Sequence, residues 1–153
     1  MRLFKSFPLL FCLILSQFGA KAQYPTDYTF ESYKIKEGLS EGSCYTVYQD
    51  HLGYIWVGTI GLERFDGYVF KNYRSSVFDS ASIPSGQKLV IKEDYQNNLW
   101  VATEFNISKF NRKTDTWENY PNILSGERIR DLFFSKDQNE IYLTTSHDGL
   151  FLK

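Results

Sequence analysis

Cysteine is nearly absent from the 153 residues: Cys12 lies in an apolar stretch near the N-terminus and Cys44 stands alone beyond it. With one cysteine outside that stretch, no intrachain disulfide can staple the fold, so stability has to come from a packed core. An excess of one charge is missing too. Seventeen Lys and Arg face eighteen Asp and Glu, a formal net charge of −1, and the basic residues are scattered singly among acids. A nucleic-acid partner asks for a basic patch or stripe, so none is expected. Histidine is limited to His51 and His147, at no metal-like spacing, so neither a metal nor another cofactor is expected. Long apolar runs are absent beyond Phe7–Leu15, and that run is about half of the roughly 20 residues a bilayer span requires.

What is present begins with a leader. Arg2 and Lys5 precede the apolar run, and Ala20-Lys21-Ala22 follows it as a small-x-small cleavage site, so residues 1–22 read as a signal peptide. Cleavage after Ala22 removes three positive charges and no acid, which leaves residues 23–153 mildly acidic and exported.

The exported part repeats itself. In DHLGYIW, Asp50 stands six residues before Trp56; in DYQNNLW, Asp94 stands six before Trp100, and both pairs are displaced by 44. Each Trp is followed three positions later by threonine, Thr59 and Thr103. A third copy drifts: Asp137 lies five residues before Tyr142, and Thr145 follows. Phe65 and Phe110 then open turns, FDGY and FNRKTDTW, and an aromatic-x-x-Tyr run ends each copy, Phe70 to Tyr73 and Trp117 to Tyr120. Polar linkers, IPSGQ and ILSGE, lead into the next alternating segment.

Period-two alternation, β-branched and aromatic enrichment and frequent turn residues predict strands at 43–49, 54–58, 62–66 and 68–74, then 88–93, 99–103, 107–111 and 116–120. The third copy predicts strands near 129–135 and 140–145 and the start of another at Gly149-Leu150-Phe151. Asp66-Gly67 predicts a tight type I′ hairpin. Four strands per 40 to 45 residues is the period of a propeller blade. The fold class is therefore all-β, a partial β-propeller of about three four-stranded blades, with copies at 43–74, 88–120 and 129–153. Phe30-Glu31-Ser32-Tyr33 repeats the fourth-strand signature ahead of the first copy, so 28–36 is expected to be an orphan fourth strand that completes the last blade by permuted closure.

Gly38, Leu39, Ser40, Asp50, Gly53, Ile55, Trp56, Gly58, Thr59, Gly61, Leu62, Phe65, Asp66 and Gly67 together resemble the two-component regulator propeller repeat. Relative to the usual pattern one residue is missing between Thr59 and Gly61, and Ala102 and Asn106 replace glycines in the second copy. The resemblance covers Tyr28 to Lys153 and implies the periplasmic sensor region of a hybrid histidine kinase, responsive to oligosaccharides. No kinase is expected in this chain, since its two histidines sit in predicted turns without the surrounding nucleotide boxes.

Recurrence at equal positions makes Asp50, Trp56, Thr59, Phe65, Asp94, Trp100, Thr103, Phe110, Asp137, Tyr142 and Thr145 scaffold residues of the repeat. Loops suit ligand specificity better, and the insertion 75–87 with its preceding residue offers Arg74, Phe78 and Asp79 as ligand contacts. Expected partners are an oligosaccharide, and further blades or another copy of the chain, because a three-blade arc leaves sheet faces open. Two other readings stand beside the sensor: a self-assembling binding module, and part of a propeller-based carbohydrate-active enzyme, which would bring Asp50, Asp66, Asp94 and Glu104 into one cleft.

Overall fold

A computed structural model describes residues 29–88, 90–121, 123–136 and 140–152. The signal peptide and Asp137 lie outside the described residues. By contacts the chain divides into Met1–Glu31 and Ser32–Lys153. In the first unit the described residues, 29–31, carry no strand.

The second unit opens with a one-turn 3-10 helix, Ile35–Glu37, and its other regular elements among the described residues are strands. The first sheet is β1 (Thr46–Gln49), β2 (Ile55–Gly58), β3 (Leu62–Phe65) and β4 (Phe70–Tyr73). The second is β5 (Val90–Glu93), β6 (Leu99–Ala102), β7 (Asn106–Asn111) and β8 (Thr116–Pro121). The third holds β9 (Ile129–Phe134), β10 (Ile141–Thr145) and β11 (Leu150–Leu152). Each is an antiparallel meander in sequence order. These are propeller blades, the third with three strands.

Meander geometry sorts the connections. The β1–β2 and β3–β4 turns and their counterparts lie at one end of the blades; the β2–β3 turns and the blade-to-blade linkers lie at the other. First strands neighbour first strands, and the amide of Lys88 donates to the carbonyl of Thr59 at 2.9 Å, which ties the entry of the second blade to the first. Ile129 N–H to Glu104 O, 2.7 Å, ties the third blade to the second.

Two cores fill the two seams. Between the first and second blades lie Trp56, Leu62, Tyr73, Ile83, Ile91, Leu99, Val101, Phe110 and Trp117. Between the second and third lie Val90, Trp100, Ala102, Ile107, Ile129, Leu132, Phe134 and Leu143. Strand alternation makes this possible: Trp100 and Ala102 face forward while Leu99 and Val101 face back, so all four residues of β6 are buried.

Two expectations need correction. Residues 29–34 form no strand, and the third sheet is β11-β10-β9 without them. Local turn bonds hold part of that segment instead: the Glu37 carboxylate accepts the Lys34 N–H at 2.8 Å, and Gly38 takes a left-handed φ of 114°. The β3–β4 turn is also not type I′. Of Asp66 and Gly67 only Gly67 has positive φ, 99°, and Asp66 Oδ1 closes the turn by accepting the amides of Tyr68 (2.8 Å) and Val69 (2.9 Å).

Candidate functional site

The aspartate and tryptophan of each repeat form a brace. Asp50 Oδ2 accepts the Trp56 indole N–H at 2.9 Å while Oδ1 accepts the amides of Leu52 and Tyr54, both at 3.0 Å. Asp94 repeats this bond for bond: the Trp100 indole at 2.8 Å, and the amides of Gln96 (3.0 Å) and Asn98 (2.9 Å). Gly53 and Asn97 occupy the same turn position with φ of 88° and 63°. A carboxylate that closes the turn and orients a buried indole is scaffold chemistry. Tyr142 takes the tryptophan place in the third blade, opposite Phe133 and Leu152.

Asp50 goes further than Asp94. Arg112, from the β7–β8 turn, donates to Asp50 Oδ2 at 2.9 Å and to Glu93 Oε1 at 2.6 Å, and His51 Nδ1 lies 2.6 Å from the same Glu93 oxygen. Burial pushes the Asp50 carboxyl up, but the Trp56 and Arg112 hydrogen bonds and the guanidinium charge outweigh it and hold the group below the ordinary Asp range.

The threonines diverge. Thr103 Oγ1 accepts the Asn106 amide at 3.1 Å and Thr145 Oγ1 the Asp148 amide at 3.1 Å, each capping a β2–β3-type turn. Thr59, in the turn shortened by one residue, donates instead to Glu63 at 3.1 to 3.2 Å. Phe110 is buried against Trp56, with centroids 5.2 Å apart. Phe65, on the equivalent face of the first blade, stacks on Phe70 at 4.6 Å and meets Tyr33 at 5.1 Å.

At the linker end of the first blade is a cleft of about 320 Å³ lined by Ser40, Glu41, Ile60, Gly61, Arg74, Ser75 and Ser85. Of the three expected ligand contacts, Arg74 lines it; Phe78 and Asp79 do not. Phe78 is fully exposed, and Asp79 works as a turn residue whose Oδ1 accepts the Ala81 amide at 2.9 Å. The insertion is partly structural as well. Ala81 O accepts the Trp117 amide at 2.9 Å and Asn119 Nδ2 donates to Ser80 O and Ser82 O, so the loop covers the outer edge of β8.

Beneath the cleft sit two charges with no solvent exposure, Glu63 and Lys88. The Glu63 carboxylate accepts from the hydroxyls of Ser40 and Thr59. The Lys88 ammonium donates to three backbone carbonyls, Ile60 at 3.0 Å, Pro84 at 2.6 Å and Gly86 at 2.6 Å. Gly58 makes room for this approach: a Cβ there would stand 2.6 Å from the Lys88 carbonyl oxygen and from Thr46 Cγ2. Sequence reasoning missed Glu63 and Lys88, because a charged residue at a predicted strand position reads as outward-facing, and Arg112, because a charged turn residue reads as solvated. The phase of Lys88 with the buried Val90 was the available signal.

Residues 38–61 match the family model described as two component regulator propeller. The chain carries this propeller repeat over those residues. Histidine kinase P4 of Formosa agariphila is 44% identical over 78 residues, 48% of this chain and 6% of the kinase. Two solved chains share the fold, both extracellular domains of the system BT4673 from B. thetaiotaomicron, one described as a putative one component system and the other as a putative hybrid two component system. The first has a TM-score of 0.64 at 20% identity over 82% of this chain and 18% of its own. The second has 0.64 at 19% identity over 78% and 16%. The chain thus spans a small fraction of the length of each relative.

The four acids that an enzyme would gather keep separate partners. Asp50 has Trp56 and Arg112, Asp66 its own turn, Asp94 has Trp100 and Asn98, and Glu104 pairs with Arg128 at 3.7 Å. Among the described residues no helix is long and apolar enough to cross a membrane.

Proposed function

We propose that this chain is part of the exported, ligand-sensing propeller of a two-component receptor, that its ligand is an oligosaccharide, and that phosphotransfer is done elsewhere in the receptor. The observation that carries the reading is the repeat with its Asp–Trp braces. The signal anatomy of residues 1–22 supports export, as do the extracellular domains whose fold it shares and the histidine kinase it resembles over 78 residues. Further blades cover the two open faces, where Val47 on the first sheet and Phe133, Leu150 and Leu152 on the third are more than half exposed.

The cleft at the linker end suits a polyhydroxylated ligand. Ser40 donates its proton inward to buried Glu63, which turns its remaining lone pairs toward an incoming O–H, and Arg74 and Glu41 add a donor and an acceptor. Titration calorimetry of the full chain with neutral and uronic-acid oligosaccharides tests this. Saturable binding that Arg74→Ala weakens at least tenfold is expected; binding indifferent to Arg74, or none across the panel, contradicts the site. The same open faces favour a second reading, assembly between copies, which sedimentation would show as a discrete oligomer.

A further inference from the structure

Lys88 is completely buried at the first seam, and nothing in the brace or the core requires a cation there. Its three acceptors belong to two different walls of the cleft. Ile60 is in the β2–β3 turn of the first blade; Pro84 and Gly86 flank Ser85 in the linker to the second. The Lys88 amide adds a fourth tie, to Thr59 O. One residue thus holds both walls by its backbone and its side chain.

We propose that Lys88 is the positioning residue of the cleft: its ammonium fixes the Ile60 turn against the Pro84–Gly86 linker, and the two walls part when that proton is lost. This rests on the cleft being the ligand site. An ammonium has three N–H donors and serves three carbonyls; a neutral amine has two, so one carbonyl is left without a partner and the others lose charge assistance. The charged group acting on Lys88 is Glu63 of β3, which favours the ammonium, while burial, the larger effect, pushes the lysine down to about 8. Glu41, from the linker before β1, and Arg74, after β4, are the charged groups that line the cleft itself. At the second seam Ile129 makes the matching amide tie, to Glu104 O, with an uncharged side chain, and Arg128 beside it is half exposed and reaches Glu104 at 3.7 Å.

The experiment follows the carbonyl carbons of Ile60, Pro84 and Gly86 by NMR in the ligand-free full chain as pH is raised. All three are expected to move together with one midpoint near 8, well below the roughly 10.4 of a free lysine. In Lys88→Met the midpoint vanishes, and amide exchange of Gly61 and Gly86 rises together at least tenfold while β1 to β8 stay protected. Walls that respond separately, or a common midpoint near that of a free lysine, would overturn the assignment. Should Lys88→Met fail to fold, Lys88→Arg keeps the charge and should abolish the midpoint without opening the walls; a midpoint near 8 that persists in it refutes the role. No ligand enters, so an intact titration with no oligosaccharide binding would sink the ligand-site reading and leave only the lysine's hold on the two walls standing.

Discussion

The two seams are built from the same repeat and finished differently. At the first, Trp56 is wholly buried among Tyr73, Phe110 and Trp117, with ring centroids 5.2 to 6.3 Å apart, and Arg112 crosses the seam to Asp50. At the second, Trp100 keeps 9% exposure and meets the rings of Tyr120 and Phe134 in a core otherwise mainly aliphatic, and the crossing pair Lys92–Asp131 is exposed at both ends. The source of the difference is one turn. FNRKTDTW, between β7 and β8, supplies both Arg112 and Asp115, which accepts from Tyr73 at 2.8 Å and pairs with Lys71 across the same seam. The repeat therefore sets where blades pack, while turn composition sets how tightly a particular pair is locked.

The largest expected separation comes from the tryptophans. Trp56→Ala should cost about 4 to 5 kcal/mol and Trp100→Ala about 3, since the second site starts less enclosed and its neighbours can collapse further. Urea unfolding of the two variants measures the gap, and equal costs would erase the distinction. Next is Arg112→Met, expected to cost about 3 kcal/mol because Asp50 and Glu93 are left buried without their cation. Lys92→Met, at the exposed pair, should cost under about 1 kcal/mol. Gly58→Ala should cost about 2 kcal/mol through its clash with the Lys88 backbone. Ala102→Gly, at the equivalent place in the second blade, should cost about 1.

The smallest effects are in pH. The Asp50 carboxyl is held down in the folded state, so its stabilisation is present above the ordinary Asp value of about 3.9 and is lost as pH falls through the lowered one. Arg112→Met should flatten that acid limb. Lys88 works the other way: the burial penalty on its ammonium is present below about 8 and is relieved as pH rises toward the unfolded value, so stability should climb through that interval. Above about 10 the raised tyrosines Tyr73 and Tyr120 reverse the trend, since their unfolded forms ionise first. A stability maximum between these limits, measured by chemical denaturation across the range, is the expected profile. A maximum that Lys88→Met leaves unchanged would contradict the lysine's part in it.

The blade order, the strand positions within a few residues and the recurrence of the Asp–Trp spacing were legible because each depends on local spacing. The turn at Asp66 was not, because the side chain offered its amides a shorter solution than the backbone alone. Of the strand expected at 28–36 none forms over the described residues 29–36, for a strand needs a ladder partner and spacing cannot supply one. Of the cleft, Arg74 was visible as a loop cation. Glu63 and Lys88 were read as outward-facing, since the hydroxyls and carbonyls that take up their buried charges come from turns and linkers outside the strand pattern.

The claim beneath all of this is that Asp50–Trp56 and Asp94–Trp100 are one device used twice. The chain has three tryptophans, and the Trp117 indole N–H is buried without a partner, which makes it an internal control. In a nitrogen-labelled sample, Asp50→Asn should shift the indole signal of Trp56 and Asp94→Asn that of Trp100 to a similar extent, each leaving the Trp117 signal in place. An aspartate whose replacement leaves its own tryptophan unmoved would contradict it.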